Sequence, residues 1–182
     1  MDKALINRAA AALSIQGVFL HNSSLTIKSG FIPQFPEAEL ALVPQYRAGP
    51  SDECNIIAAT RSDDGNNFKT VTFFFVAGIR LIDQRLLEAL ENQPDTEADA
   101  VYVEITAKFA VHYRLADEED EDGLNAAFSE FGQFNVGYHV WPYWREYVQS
   151  ICARIGIPPI PIPMYQLPAL NNDTELADTS SK

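Results

Sequence analysis

The chain has 182 residues, 47% of them hydrophobic and 21% charged, with a formal net charge of -12 and a pI near 4.5. That length suits one domain with a sizeable core, and the ordinary hydrophobic content excludes global disorder. An acidic surface disfavours nucleic acid and anionic membranes as partners and leaves basic partners or plain solubility.

Residues 1–12 read as an N-terminal extension. "MDKALINRAAAALSIQGVFL" is interrupted by Asn7, Arg8, Ser14 and Gln16 and lacks both an h-region and a cleavage site. No run approaches the ~18 apolar residues of a membrane span, so membrane insertion is not expected and the cytoplasm is. Cys54 and Cys152 lie far apart and outside a C-x-x-C pattern, which fits reduced thiols better than a single disulfide.

From Leu13 to Lys28 the pattern is that of a strand, broken at "HNSS" where a bulge would re-aim it. "SGFIPQFPEAELALVPQYRAGPSDE" carries four prolines and scattered apolar residues. It is too long for a hairpin loop and too apolar for a free linker, so it reads as a crossover lying on the protein. "CNIIAATR" is a short β-branched strand. "SDDGNN" follows, with an Asp64-Gly65 pair suited to a tight hairpin turn.

Between Lys69 and Ile82 the odd positions Val71, Phe73, Phe75, Ala77, Ile79 and Leu81 are apolar. From Val101 to Leu115 every odd position is apolar, while Glu104, Thr106, Lys108, His112 and Arg114 fall between. Both patterns predict strands of an antiparallel sheet with one buried face. "DQRLLEALENQ" (83–93) suits a short helix between them. "DEEDED" (117–122) fails as a calcium loop, because the twelfth position is Ser129, and reads as a solvated acidic loop.

The period then becomes helical. Phe134, Tyr138, Trp141, Trp144, Val148, Ile151 and Ile155 form one stripe, with a second apolar edge at Val140, Tyr143 and Tyr147. Pro142 places the start of regular helix close to itself, and Gly156 suits the left-handed C-terminal position. A helix apolar on two sides needs cover on two sides, from another subunit or from a ligand. In "GIPPIPIPMY" the prolines hold an apolar segment extended, either as a stiff groove wall or as a docked C-terminal strap. Residues 166–182 read as a disordered polar tail.

No nucleophile elbow, Walker loop or dinucleotide motif occurs, and His21, His112 and His139 lack metal-ligand spacing. Catalytic, metal and cofactor sites are therefore expected to be absent. A dispersed enzyme site would instead need a ligand-sized pocket holding a histidine.

"YHVWPYWREYVQSICARIGIPPIPI" resembles the long helix and following segment of SecB-type export chaperones. There, an aromatic-Pro-Tyr-x-Arg-Glu motif opens the helix and a proline-containing segment follows it. The matching residues are Trp141, Pro142, Tyr143, Arg145 and Glu146, then Arg154, Gly156, Pro158 and Pro159. The order of four strands, a crossover after the first and then the helix also agrees, so the resemblance covers 13–165.

The resemblance implies an α+β fold, a four-stranded antiparallel sheet with the long helix of the C-terminal half packed on one face. It also implies a homotetrameric, ATP-independent holdase for unfolded preproteins, handing them to SecA, which docks partly on acidic sheet surface. The chain lacks the further C-terminal helix of export members and has a long loop between its last two strands. Those departures admit a second reading, a dedicated SecB-like chaperone of a toxin–antitoxin system with one antitoxin client. On either reading Phe31, Ile32, Phe35, Leu40 and Leu42 form one wall of a client groove. Tyr143, Tyr147, Ile157, Ile160, Ile162, Met164 and Tyr165 form the other. Trp141, Trp144, Val148, Ile151 and Ile155 form the core or oligomer face of the helix.

Overall fold

Two central strands supply most of the core. In the computed structural model, which describes residues 1–37, 39–60, 67–86, 100–116 and 122–166, β3 (Asn67–Asp83) and β4 (Val101–Leu115) pair antiparallel. β1 (Leu13–Ile27) flanks β4 and β2 (Leu42–Thr60) flanks β3, giving a four-stranded sheet of order β1-β4-β3-β2. The registers Val71↔Tyr113, Phe73↔Val111, Phe75↔Phe109 and Ile79↔Ile105 put the odd residues of both strands on one face. All of these are buried. β1 shifts register on either side of His21, within the expected "HNSS" break, and again at Gln16.

β2 is much longer than expected. Residues 42–53, read from sequence as crossover, belong to the strand, so only residues 28–41 cross between the sheet edges. Prolines misled the reading. β2 is an edge strand with a single partner, where Pro44 and Pro50 cost no ladder bond on the open side, and a register shift follows Pro50. The Asp64-Gly65 turn lies outside the described residues, although Thr60↔Asn67 shows the hairpin it joins. Of the helix expected over 83–93, Gln84–Leu86 form a 3-10 turn and 87–93 lie outside the described residues. The same holds for most of the acidic run and for 167–182.

The helices lie on the apolar face. α1 (Lys3–Ala12), which has no signal in the sequence reading, is capped by the Asp2 carboxylate accepting from Ala4 N–H and Leu5 N–H. It buries Ala9 and Ala12 and packs against α2 (Asn125–Phe134). After a break at Asn135, α3 (Val136–Ile155) runs across β3 and β4. α3 thus starts well before Pro142, against expectation. Pro142 has no N–H to donate to the Tyr138 carbonyl, and both residues are exposed.

The buried line of α3 is also displaced from the predicted stripe. It runs Val136, Val140, Trp144, Val148, Cys152 and Ile155, with Trp141 and Ile151 half-buried beside it and Tyr138 exposed. Val140, read as a second edge, sits at the centre. Gly156 takes φ 74° as predicted and donates its N–H to the Cys152 carbonyl. Both cysteines are free thiols.

This placement predicts that Trp144→Ala lowers stability by about 3–5 kcal/mol. Tyr143→Ala, at a side chain 49% exposed, should change it by less than about 1 kcal/mol. Urea denaturation followed by far-UV dichroism reads both.

Candidate functional site

The crossover residues gather into a cleft at one end of the sheet. Phe31, Ile32, Phe35 and Leu40 line it with Lys28, Glu37 and Tyr102, around a volume of about 370 Å³. Phe35 is 82% and Ile32 56% exposed, whereas Phe31 packs edge-on against Tyr102 with ring centroids 5.0 Å apart. Lys28 Nζ lies 4.3 Å from the centre of the same Tyr102 ring. Leu42 is not part of this cleft. As the first residue of β2 it packs, half-buried, against the core.

The crossover is tied at both ends, where the Lys28 N–H donates to the Tyr102 carbonyl at 2.9 Å and the Gln84 N–H to the Ala41 carbonyl at 2.8 Å, and again at its middle. Gln34 Nε2 donates to the Ile155 carbonyl at 2.6 Å and so satisfies one of the free acceptors at the end of α3. Arg85 pairs with Asp83 at 2.6 Å and reaches Glu39 of the crossover at 3.9 Å. An apolar loop held this way presents Ile32 and Phe35 without collapsing onto the core.

The segment after Gly156 turns back along α3. Gln149 Nε2 donates to the Ile160 carbonyl (2.7 Å), the Tyr46 hydroxyl to the Pro161 carbonyl (2.6 Å) and the Trp141 indole to the Pro163 carbonyl (2.8 Å). Ile160 and Ile162 are only 5% and 7% exposed and join the core. The expectation that they line an open groove is therefore corrected: alternation on an extended backbone turns both inward. Met164 stays exposed and meets Arg145, while Tyr165 packs on Tyr138, Trp141 and Phe75. Burial, with Tyr138 beside it, raises the Tyr165 phenol above its ordinary pKa.

The predicted walls thus meet at one place only. Gln34 bridges the crossover to Ile155, next to Ile157, whereas Tyr143, Met164 and Tyr165 lie near the other end of α3. Tyr143 and Ile155 are about 18 Å apart along the helix. Tyr147 is half-buried and stacks on Trp144. Gln34, Tyr46 and Gln149, which tie these pieces together, were not singled out from sequence. Each acts through a contact more than ten residues away, which local patterning does not carry.

At the opposite end of β4 from the cleft, the Tyr113 hydroxyl and His139 Nδ1 share a hydrogen bond of 2.6 Å. Burial raises the Tyr113 phenol far above its ordinary value and lowers the His139 imidazole. No group of three or more His, Cys, Asp or Glu side chains able to hold a metal occurs among the described residues, and none of their helices is long and apolar enough to cross a membrane.

The architecture matches a solved structure. The SecB-like chaperone Rv1957 of Mycobacterium tuberculosis, in complex with a ChAD peptide from the Rv1956 HigA1 antitoxin, superposes at a TM-score of 0.59 over 92% of this chain and 100% of that one, at 16% identity. The fold is SecB-like. No family model and no curated protein sequence matches the chain.

Because the folded His139 pKa lies below the unfolded value near 6.5, the unfolded chain binds the extra proton first. Stability is then full above about pH 6.5 and falls as pH drops through the folded value. Thermal melts from pH 7.5 to 5 should show a loss that His139→Gln reduces.

Proposed function

We propose that this protein is a holdase that binds non-native polypeptides in the crossover cleft without nucleotide, cofactor or catalysis. One observation carries the reading: Ile32 and Phe35 stand exposed on a loop fixed at both ends, beside a cleft of about 370 Å³. Burying such side chains contributes about 25 cal/mol per Å² before ordering costs, and a pre-ordered surface keeps those costs low. The peptide-bound state of the SecB-like neighbour supports the same reading. Ile157 packs half-buried against the core and is not part of the cleft lining. Met164 and Tyr143 are exposed apolar contacts at the far end of α3.

Between an export role through SecA and a dedicated client, the charge of the sheet favours the second. The face turned away from the helices carries Arg47, Arg80, Lys108 and Arg114, against Glu53 and Glu104. Both acids are paired, Glu53 with Lys108 at 2.6 Å and Glu104 with Arg47 at 3.5 Å. Among the described residues of that face no unpaired acidic side chain stands to form an acidic docking surface of the kind SecA uses. The neighbour's client is a peptide of an antitoxin, which suits a single-client partner equally well.

Assembly into a homo-oligomer, a tetramer by the sequence resemblance, belongs to the same proposal. Ile15, Leu20 and Leu25 of the edge strand β1 pair with Tyr113, Phe109 and Ile105. They therefore face the helix layer, yet stay exposed in the single chain. A second copy would cover them.

The double variant Ile32→Ser/Phe35→Ser should weaken binding of a reduced, alkylated, unfolded polypeptide at least about tenfold. Particle mass by light scattering should stay the same. Unchanged affinity would remove the cleft from the account.

A further inference from the structure

Resting on the polypeptide-binding reading, we propose that the lane on α3 and β2 now holding Ile157–Tyr165 is itself a binding site for extended aliphatic polypeptide, and that this resident segment competes with clients for it. The contacts are those of a bound peptide. Gln149, Tyr46 and Trp141 each donate from a side chain to a main-chain carbonyl, at Ile160, Pro161 and Pro163. The segment makes no strand ladder with the sheet. Pro158, Pro159, Pro161 and Pro163 have no N–H to offer one.

Such a lane reads what every extended chain possesses, a carbonyl at each residue. Its selectivity comes from the two inward positions filled by Ile160 and Ile162. The lane starts at Ile157, two residues after Ile155, whose carbonyl accepts from Gln34 of the crossover. A client seated on Ile32 and Phe35 is thus placed to continue into it. At the far end the Tyr165 ring lies where a β-carbon on Gly137 would stand, so the bare glycine is what admits it.

Competition sets a threshold. A tethered segment acts at an effective concentration on the order of millimolar, and a client's apparent affinity falls by the fraction of time the lane is open. Short peptides are then refused, while a long unfolded chain that also engages the cleft is accepted.

Gly137→Ala tests this directly. The new methyl meets only the outer end of the Tyr165 side chain among its nearest neighbours, and alanine favours the helix. The variant should keep the far-UV dichroism of the folded protein and bind a reduced, alkylated, unfolded polypeptide about tenfold more tightly than the wild type. It should also bind the free peptide IPPIPIPMY, which the wild type refuses. Ile160→Ala/Ile162→Ala should shift the affinity in the same direction.

A second readout needs no variant. In wild-type protein labelled with 15N at its indoles, adding the unfolded polypeptide should move the Trp141 signal and leave that of Trp144 in place. Client binding with Trp141 unmoved and no gain in the variants would overturn the lane while leaving the holdase reading intact. No binding of the unfolded polypeptide by any form would overturn both.

Discussion

A helix that is apolar on two sides has to be covered twice, and the remaining architecture follows from how this chain does so. β3 and β4 cover the line from Val136 to Ile155, and the returning segment covers the flank that carries Trp141, whereas Tyr143 on the opposite flank stays exposed. That second cover comes from the same chain. It works because Gly156 reverses direction at φ 74° and the prolines hold the next residues extended, so that Ile160 and Ile162 both turn inward.

Among the described residues, that solution leaves at least two apolar surfaces without cover. One is the crossover cleft, where Gln34 and Arg85 spend hydrogen bonds and ion pairs on holding the loop rather than on closing it. The other is the helix side of β1, beyond the reach of α3. In a chain of net charge -12, the described outer face of the sheet carries Arg47, Arg80 and Lys108, with Arg47 paired to Glu104 and Lys108 to Glu53.

The sheet was legible from sequence because period-2 patterning is local and long here. β4 was bounded to the residue, and the core faces of β3 and β4 were assigned correctly. β2 was read too short because proline is a local signal, whereas its tolerance in the strand depends on an edge position that only topology reveals. The helix register slipped for a related reason. Aromatic residues dominated the pattern, so Trp141 and Tyr138 looked central, while the small residues Gly137 and Cys152 in fact lie on the buried line. Of the candidate site, Phe31, Ile32, Phe35 and Leu40 were singled out as apolar residues of the crossover through the resemblance to SecB-type chaperones, and they share one cleft. The fate of Ile160 and Ile162 was not legible, because an extended segment shows its alternation but not which side meets the helix.

The central claim is that an ordered apolar surface binds chains that have lost their own fold. Titration calorimetry of wild-type protein at several temperatures, without nucleotide, against one polypeptide in its reduced unfolded form and in its native form, tests it most directly. The account predicts binding to the unfolded form alone, with the negative heat-capacity change that marks burial of apolar surface. Equal affinity for both forms, or binding with no heat-capacity change, would contradict it.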